Sequence, residues 1–262
     1  MSALRTALRT EVLAWRRSTV QRLATPLLIG LVPLASVGMT ALARSGAVDG
    51  AGAAKLADYA AGDLATTHLV VAGQILSVAV LMAGGFAVAA TFGQPLADGR
   101  AGAWFGLATP RGTLALARVL VVLGWVGACV VAAVAMTAGA SAVTAASVSA
   151  PFGPSAWATA GRALAAGLLG AGLALPFAAV ATATRSALAT VAVLVGVVAL
   201  TQVVVLVGAG AWFPYAVPSL WTGTGGPAAA AAVGGVALVL TAAVAPAAAA
   251  LVVAQWRRLT DV

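Results

Sequence analysis

Few residues in this chain are of types that make or break bonds. Among 262 residues there is one histidine, His68, one cysteine, Cys129, and one lysine, Lys55. A phosphate-cradling loop needs Gly-x-x-x-x-Gly-Lys-Ser/Thr, so that backbone amides, an ammonium and a hydroxyl converge on phosphates and Mg²⁺. Here the lysine stands in Gly50-Ala51-Gly52-Ala53-Ala54-Lys55-Leu56, without the preceding glycine or the following hydroxyl. ATP hydrolysis by this chain alone is not expected. A His-Glu-x-x-His zinc site is absent from the sequence, and a lone cysteine gives neither a disulfide nor a multi-thiolate site. His68 is expected at the outer interface, and Cys129 as a small packing residue. The carboxylates Glu11, Asp49, Asp58, Asp63, Asp98 and Asp261 all fall outside the apolar runs, whereas proton-driven carriers bury one within a span. No catalytic residue, metal site or resident cofactor is expected.

The composition defines the elements. Hydrophobic residues make up 62% of the chain and charged residues 8%, with a net charge of +8 and a mean hydropathy of +1.07. Soluble domains carry about 25% charged residues, and disorder requires low hydrophobicity. The chain is therefore expected to be an all-α integral membrane protein. A spanning helix needs about 20 apolar residues, and the gaps between charges hold six. They fall at about 23–43, 67–93, 117–143, 158–182, 187–208 and 228–252. The domain division is a helix over 1–22 and a six-helix membrane domain over 23–262. The first apolar run is too long for a signal-peptide core. Pro33, Pro176 and Pro246 fall inside spans 1, 4 and 6 and are expected to bend them.

An even number of spans puts both termini on one side. On that side lie Arg5, Arg9, Arg16, Arg17, Arg22, Arg100, Arg111, Arg118, Arg185, Arg257 and Arg258; the other side has Arg44, Lys55 and Arg162. With three carboxylates on each side, the net charges are +8 and 0. Arginine marks the cytoplasmic face, so both termini are expected in the cytoplasm and the chain in the inner (cytoplasmic) membrane. The charge is then a topology signal, and no nucleic-acid partner is needed to explain it. Trp15, Trp104 and Trp256 fall at the expected inner interface, and Trp157, Trp212 and Trp221 at the outer one, as an aromatic belt requires. Trp125 lies deeper, where it packs between helices.

Four segments bear on function. In residues 2–22, Leu4, Leu8, Val12 and Trp15 recur at helical spacing beside Arg5, Arg9 and Arg16. This basic amphipathic helix is either a positive-inside anchor or an elbow that frames a docking surface. Residues 92–120 read FGQPLADGRAGAWFGLATPRGTLALARVL. The connection there is about 20 residues against the usual 2–8 between packed helices, and it holds a short apolar helix with Trp104 and Phe105, bounded by Asp98-Gly99-Arg100 and Thr109-Pro110-Arg111-Gly112. Such an element suggests a protein contact. Residues 209–227 are uncharged, aromatic and proline-broken. They are either short half-buried helices dipping into the membrane or an interfacial loop anchored by Trp212, Tyr215 and Trp221. Gln74 and Gln202 fall at similar depth in spans 2 and 5, where they either line a shared path or bond between helices. Arg162, about one turn into span 4, either snorkels outward or meets an anionic headgroup.

The chain resembles the membrane subunit of ABC exporters of the ABC-2 type. Those chains have an amphipathic elbow, six spans with both termini inside, and after span 2 a pattern like E-x-x-x-G-T, leucines, a Thr/Ser-Pro turn and a Lys opening span 3. Here Asp98 stands for the acidic residue, Gly102 for the glycine, Leu107-Ala108-Thr109-Pro110-Arg111 for the turn, and Arg118 for the lysine. Asp replaces Glu, Ala103 replaces Thr, and Trp104-Phe105 replace the leucine pair. The tail Trp256-Arg257-Arg258-Leu259-Thr260-Asp261-Val262 is also similar. The resemblance implies a coupling helix, with Asp98, Gly102, Trp104, Phe105, Pro110 and Arg111, seated in a separate ABC ATPase subunit that carries ATP and Mg. It implies short re-entrant helices between spans 5 and 6, and a second permease chain, identical or related. It also implies export of a hydrophobic or amphipathic molecule such as a drug, lipid or peptide; a haem-export subunit has similar length. From another class, a non-transporting scaffold or assembly factor would lack an ATPase partner. A lipid-modifying membrane enzyme would keep its activity without any partner.

Overall fold

The computed structural model describes residues 2–99, 109–150 and 152–259. Among these residues every regular element is helical, and six helices are long and apolar enough to cross a membrane: Thr19–Ser45, Leu64–Ala97, Arg111–Ser147, Pro154–Thr184, Ala187–Leu206 and Gly235–Arg258. These are spans 1 to 6. All but span 5 outlast the expected extents at one or both ends: span 2 fills the whole uncharged run from Leu64 to Ala97, and spans 1, 3 and 6 carry arginines within their end turns. Span 3 begins at Arg111, directly after Pro110, which stands at the N-cap with an extended ψ of 135°. Span 6 begins at Gly235 rather than near 228, because residues 226–231 form a separate short helix.

The N-terminal helix, Ser2–Arg16, ends before Ser18, and the next helix starts at Thr19 and runs on into span 1. The expected boundary at residue 22 therefore lies inside a helix. A helix over Gly50–Ala60, between spans 1 and 2, has no counterpart in the sequence expectation. Residues 209–227 contain a 3₁₀ turn at Gly210–Trp212 and a short helix at Val217–Trp221, and the helix Gly226–Ala231 follows directly. Their small core is Ala216, Val217, Leu220, Val233 and Ala237.

Spans 2, 3 and 4 form the packed centre. Small residues let the backbones meet. A Cβ on Gly84 would lie 2.7 Å from the Ala174 Cβ, and one on Gly167 would lie 2.6 Å from Val130 Cγ1. Ser36, Thr40, Thr137 and Ser141 are fully buried and donate their hydroxyls to the carbonyl four residues back. No helix–helix partner is then needed to satisfy them. The prolines act in different ways. Pro33 follows a π-helical stretch at Leu27–Leu31. Pro176 opens a new helical segment after a turn at Ala174–Leu175, and Pro246 lies within an unbroken helix. Spans 1, 5 and 6 are peripheral: 17% of the span 5 window is buried, against 67% for span 4.

Candidate functional site

At the end of the bundle where the N-terminal helix lies, that helix and spans 2 and 6 converge on one arginine of span 3. Arg118, two turns into span 3, is 4% exposed. Its Nε donates to Glu11 Oε1 of the N-terminal helix at 3.0 Å. Its Nη1 donates to the Thr91 carbonyl at 3.1 Å, and its Cζ sits 5.0 Å over the ring of Trp256 in span 6. Thr91 lies in a π-helical turn, Ala89–Gly93. Such a turn shifts the hydrogen-bond register of a helix and is common at functional positions. Trp256 is fully buried, meets Phe92 edge-on with centroids 5.8 Å apart, and donates Nε1 to Thr182 Oγ1 of span 4 at 3.1 Å. A buried guanidinium is tolerable only when paired and hydrogen-bonded, and here a carboxylate, a carbonyl and an aromatic face serve it.

The N-terminal helix is packed into the bundle by this junction. Ala7 and Trp15 are buried and Leu4 and Leu8 half-buried, while Arg5, Arg9, Arg16 and Val12 are exposed. The inward face is therefore the expected one except at Glu11, which takes the place expected of Val12. Trp15 meets Trp125 edge-on at 5.0 Å, and Trp125 donates Nε1 to Thr25 Oγ1 at 2.9 Å, so the helix is also joined to spans 1 and 3. Trp15 and Trp256 are thus core residues and not members of an aromatic belt. Between the N-terminal helix and spans 2 and 3 lies a cavity of about 510 Å³, lined in part by Glu11, Trp15, Thr91, Gln94 and Arg118. The Trp15 Nε1 and Thr91 Oγ1 atoms beside it find no hydrogen-bond partner among the described residues.

Of the expected coupling residues, Asp98, Pro110 and Arg111 are described, and none of them lines the cavity at Arg118. Asp98 is exposed just beyond span 2. Pro110 and Arg111 cap span 3 beside Arg257, which crosses Gly112 so closely that a Cβ there would lie 2.9 Å from the Arg257 Nε. Gly102, Trp104 and Phe105 lie outside the described residues. The pair Glu11–Arg118 was not recognised from the sequence. A signal existed: Glu11 is the only carboxylate before Asp49, and it sits one turn from Trp15 on the same face.

At the opposite end, a cavity of about 540 Å³ is lined in part by Asp58, Asp63, Gln74, Ser155, Arg162 and Thr222. Tyr59 donates its hydroxyl to Gln74 Oε1 at 2.8 Å. Asp63 caps span 2, accepting from the Thr66 amide at 2.8 Å and the Thr66 hydroxyl at 2.6 Å. Those two bonds, the hydroxyl's first, hold its carboxyl below the ordinary value of 3.8, with Arg44 adding to them against slight desolvation. Gln202 does not line this cavity; it is exposed on span 5, so the two glutamines are not brought to one path within a single chain. His68 is 2% exposed, its Nδ1 3.2 Å from Ser141 Oγ. It bonds spans 2 and 3 and is not an interfacial residue. Among the described residues, no three His, Cys, Asp or Glu side chains gather where a metal could bind.

Compared with known proteins, the chain matches no family model, no curated protein and no solved structure. What the residues define is the class: a helical, multi-pass membrane protein with a buried ion pair at one end and a polar cavity at the other.

Proposed function

We propose that this chain is the permease subunit of an ATP-driven exporter of the ABC-2 type. In this reading the basic end faces the cytoplasm, the protein resides in the inner membrane, and the short helices after span 5 re-enter the outer leaflet. A separate ATPase subunit with ATP and Mg docks on residues 98–112, and a second permease chain completes the pathway. The cargo is a hydrophobic or amphipathic molecule.

The observation that supports this most is the Arg118 junction. It fastens the N-terminal helix to the last turns of span 2 and the first turns of span 3, the two helices from which the 98–112 loop hangs. A push on that loop meets a cross-braced unit and is passed to spans 4 and 6 through Trp256. Without such bracing a 37-residue helix like span 3 would move alone. Closure of the ATPase pair would then rock the braced unit as a rigid body against the rest.

The test is purification of the tagged chain in mild detergent with mass spectrometry of bound proteins. Recovery of a P-loop ATPase, lost when Trp104→Ala and Pro110→Ala are combined in a chain that still elutes as a folded species, is the expected result. Normal association and transport with residues 98–112 scrambled would refute the coupling role.

A further inference from the structure

We infer that the flank between spans 4 and 6 holds a bilayer phospholipid, its phosphate at Arg162 and an acyl chain in the apolar groove below. Arg162 is exposed, and its Cζ lies 5.9 Å over the ring of Trp221. No carboxylate is paired with it among the described residues, although Asp58 and Asp63 line the same cavity. Stacking on a neutral ring leaves the positive charge uncompensated. Trp221 is also a wall of a second cavity of about 520 Å³, lined by Ala165, Leu168, Leu169 and Gly172 of span 4, and by Val239 and Ala242 among others of span 6. Arg162, a wall of the polar cavity, thus stacks on an indole that walls the apolar one.

The dimensions fit one leaflet. From Arg162 to Thr184 span 4 rises roughly 33 Å, close to the ~30 Å hydrocarbon core. Arg162 is then level with lipid phosphates. From Arg162 to Gly172 the rise is roughly 15 Å, half of that core. The four groove residues on span 4 recur at i, i+3, i+4 and i+7, a single stripe. Leu168 and Val239 on the rim are 46% and 69% exposed, so the groove opens sideways to lipid. The floor is close-packed, since a Cβ on Gly172 would lie 2.9 Å from the Ala245 Cβ. Charge selects the head: a phosphodiester answers Arg162, and the nearby Asp58 and Asp63 carboxylates favour a headgroup that also carries an amine. The inference requires only that the six helices lie in a bilayer, and no ATPase partner.

The test uses the purified chain in nanodiscs of phosphatidylcholine doped with phosphatidylethanolamine bearing a photoreactive diazirine on one acyl chain. Labelling is expected to concentrate in residues 163–173 and 236–246. Arg162→Gln lowers it about tenfold, the effect of losing one charge-assisted contact, and Arg162→Lys keeps most of it. Ala242→Phe, which fills the groove and leaves Arg162 in place, abolishes it. Unlabelled phosphatidylethanolamine competes, and diacylglycerol, lacking the phosphate, does not. Uniform labelling of all six spans, equal labelling of the parent and Arg162→Gln, or equal competition by diacylglycerol would overturn the inference.

Discussion

Replacing Glu11 by Gln isolates the most consequential contact in the structure. The substitution keeps shape and hydrogen-bonding capacity but leaves the Arg118 guanidinium, 4% exposed, without its counter-charge. Removing one partner of a buried ion pair costs about 3–5 kcal/mol. Three features move the expectation to the lower end. The Gln amide oxygen can still accept from Nε. The Thr91 carbonyl and the Trp256 ring remain in place. Glu11 itself is 15% exposed, and the adjoining cavity of about 510 Å³ is large enough for water to reach the charge. The expected loss is about 3 kcal/mol, roughly a 150-fold shift in the unfolding equilibrium. Reversible unfolding in mixed detergent micelles measures it, and a double-mutant cycle separates the pair from the rest. Arg118→Met alone leaves the Glu11 carboxylate poorly partnered and is expected to be destabilising. Glu11→Leu with Arg118→Met removes both charges and is expected to recover most of the loss, as apolar replacements of buried pairs commonly do. A Glu11→Gln chain within about 0.5 kcal/mol of the parent, or a cycle with no coupling between the two positions, would refute the buried-pair argument.

Two further expectations follow from single positions. A Cβ on Gly93 would lie 2.8 Å from the Ala187 backbone nitrogen, and since backbone cannot rotate aside, Gly93→Val is expected to cost about 1–3 kcal/mol and part spans 2 and 5; cysteine cross-linking across that contact reports the separation, and undiminished cross-linking would count against it. Asp63→Ala removes the span 2 cap and is expected to cost about 1 kcal/mol. Because the folded carboxyl lies below its ordinary value of 3.8, the cap's contribution is fully present above that pH and is lost as the pH falls through the folded value. An Asp63→Asn chain is therefore expected to show a smaller acid-induced loss of thermal stability than the parent, and equal losses would refute the assignment.

The six spans were legible because charge is so scarce: a bilayer's demand for about 20 uncharged residues turns each gap between arginines into a helix. The ends were less legible: span 2 fills its uncharged run from Leu64 to Ala97 completely, and span 3 carries Arg111 and Arg118 within its first turns, so the charges there do not mark a boundary. The helix Gly50–Ala60 was missed because its half-buried face, Gly52, Ala53, Leu56 and Tyr59, is built half of small residues that carry a weak apolar signal. On the N-terminal helix Leu4, Leu8 and Trp15 turn inward as expected, but Glu11 takes the place expected of Val12, since periodicity favoured the apolar residue over the charged one. A carboxylate earns an inward position only through a partner 107 residues away, and helical spacing carries no information about partners at that distance. Trp256 was misplaced for the same reason. Tryptophan near a span end usually marks the interface, but here Arg118 and Thr182 supply the polar contacts that the interface would otherwise provide.

The uneven burial of the spans bears on what a single chain leaves unfinished. Spans 2 and 4 bury more than half of their most apolar windows, while spans 1, 5 and 6 bury less than a third. On span 5 most exposed residues are aliphatic, and Leu188 and Leu206 are 80% and 89% exposed; lipid satisfies these without help. Gln202 on the same helix is different. Its amide makes no hydrogen bond among the described residues, and roughly 6 Å inside the end of the span it cannot be left to acyl chains without cost. In a symmetric pair built on this face the helix would meet itself, and each glutamine could serve the other as donor and acceptor. Under the proposed exporter reading, a second permease chain would be expected to meet the first along span 5, away from the groove between spans 4 and 6 where a lipid would enter.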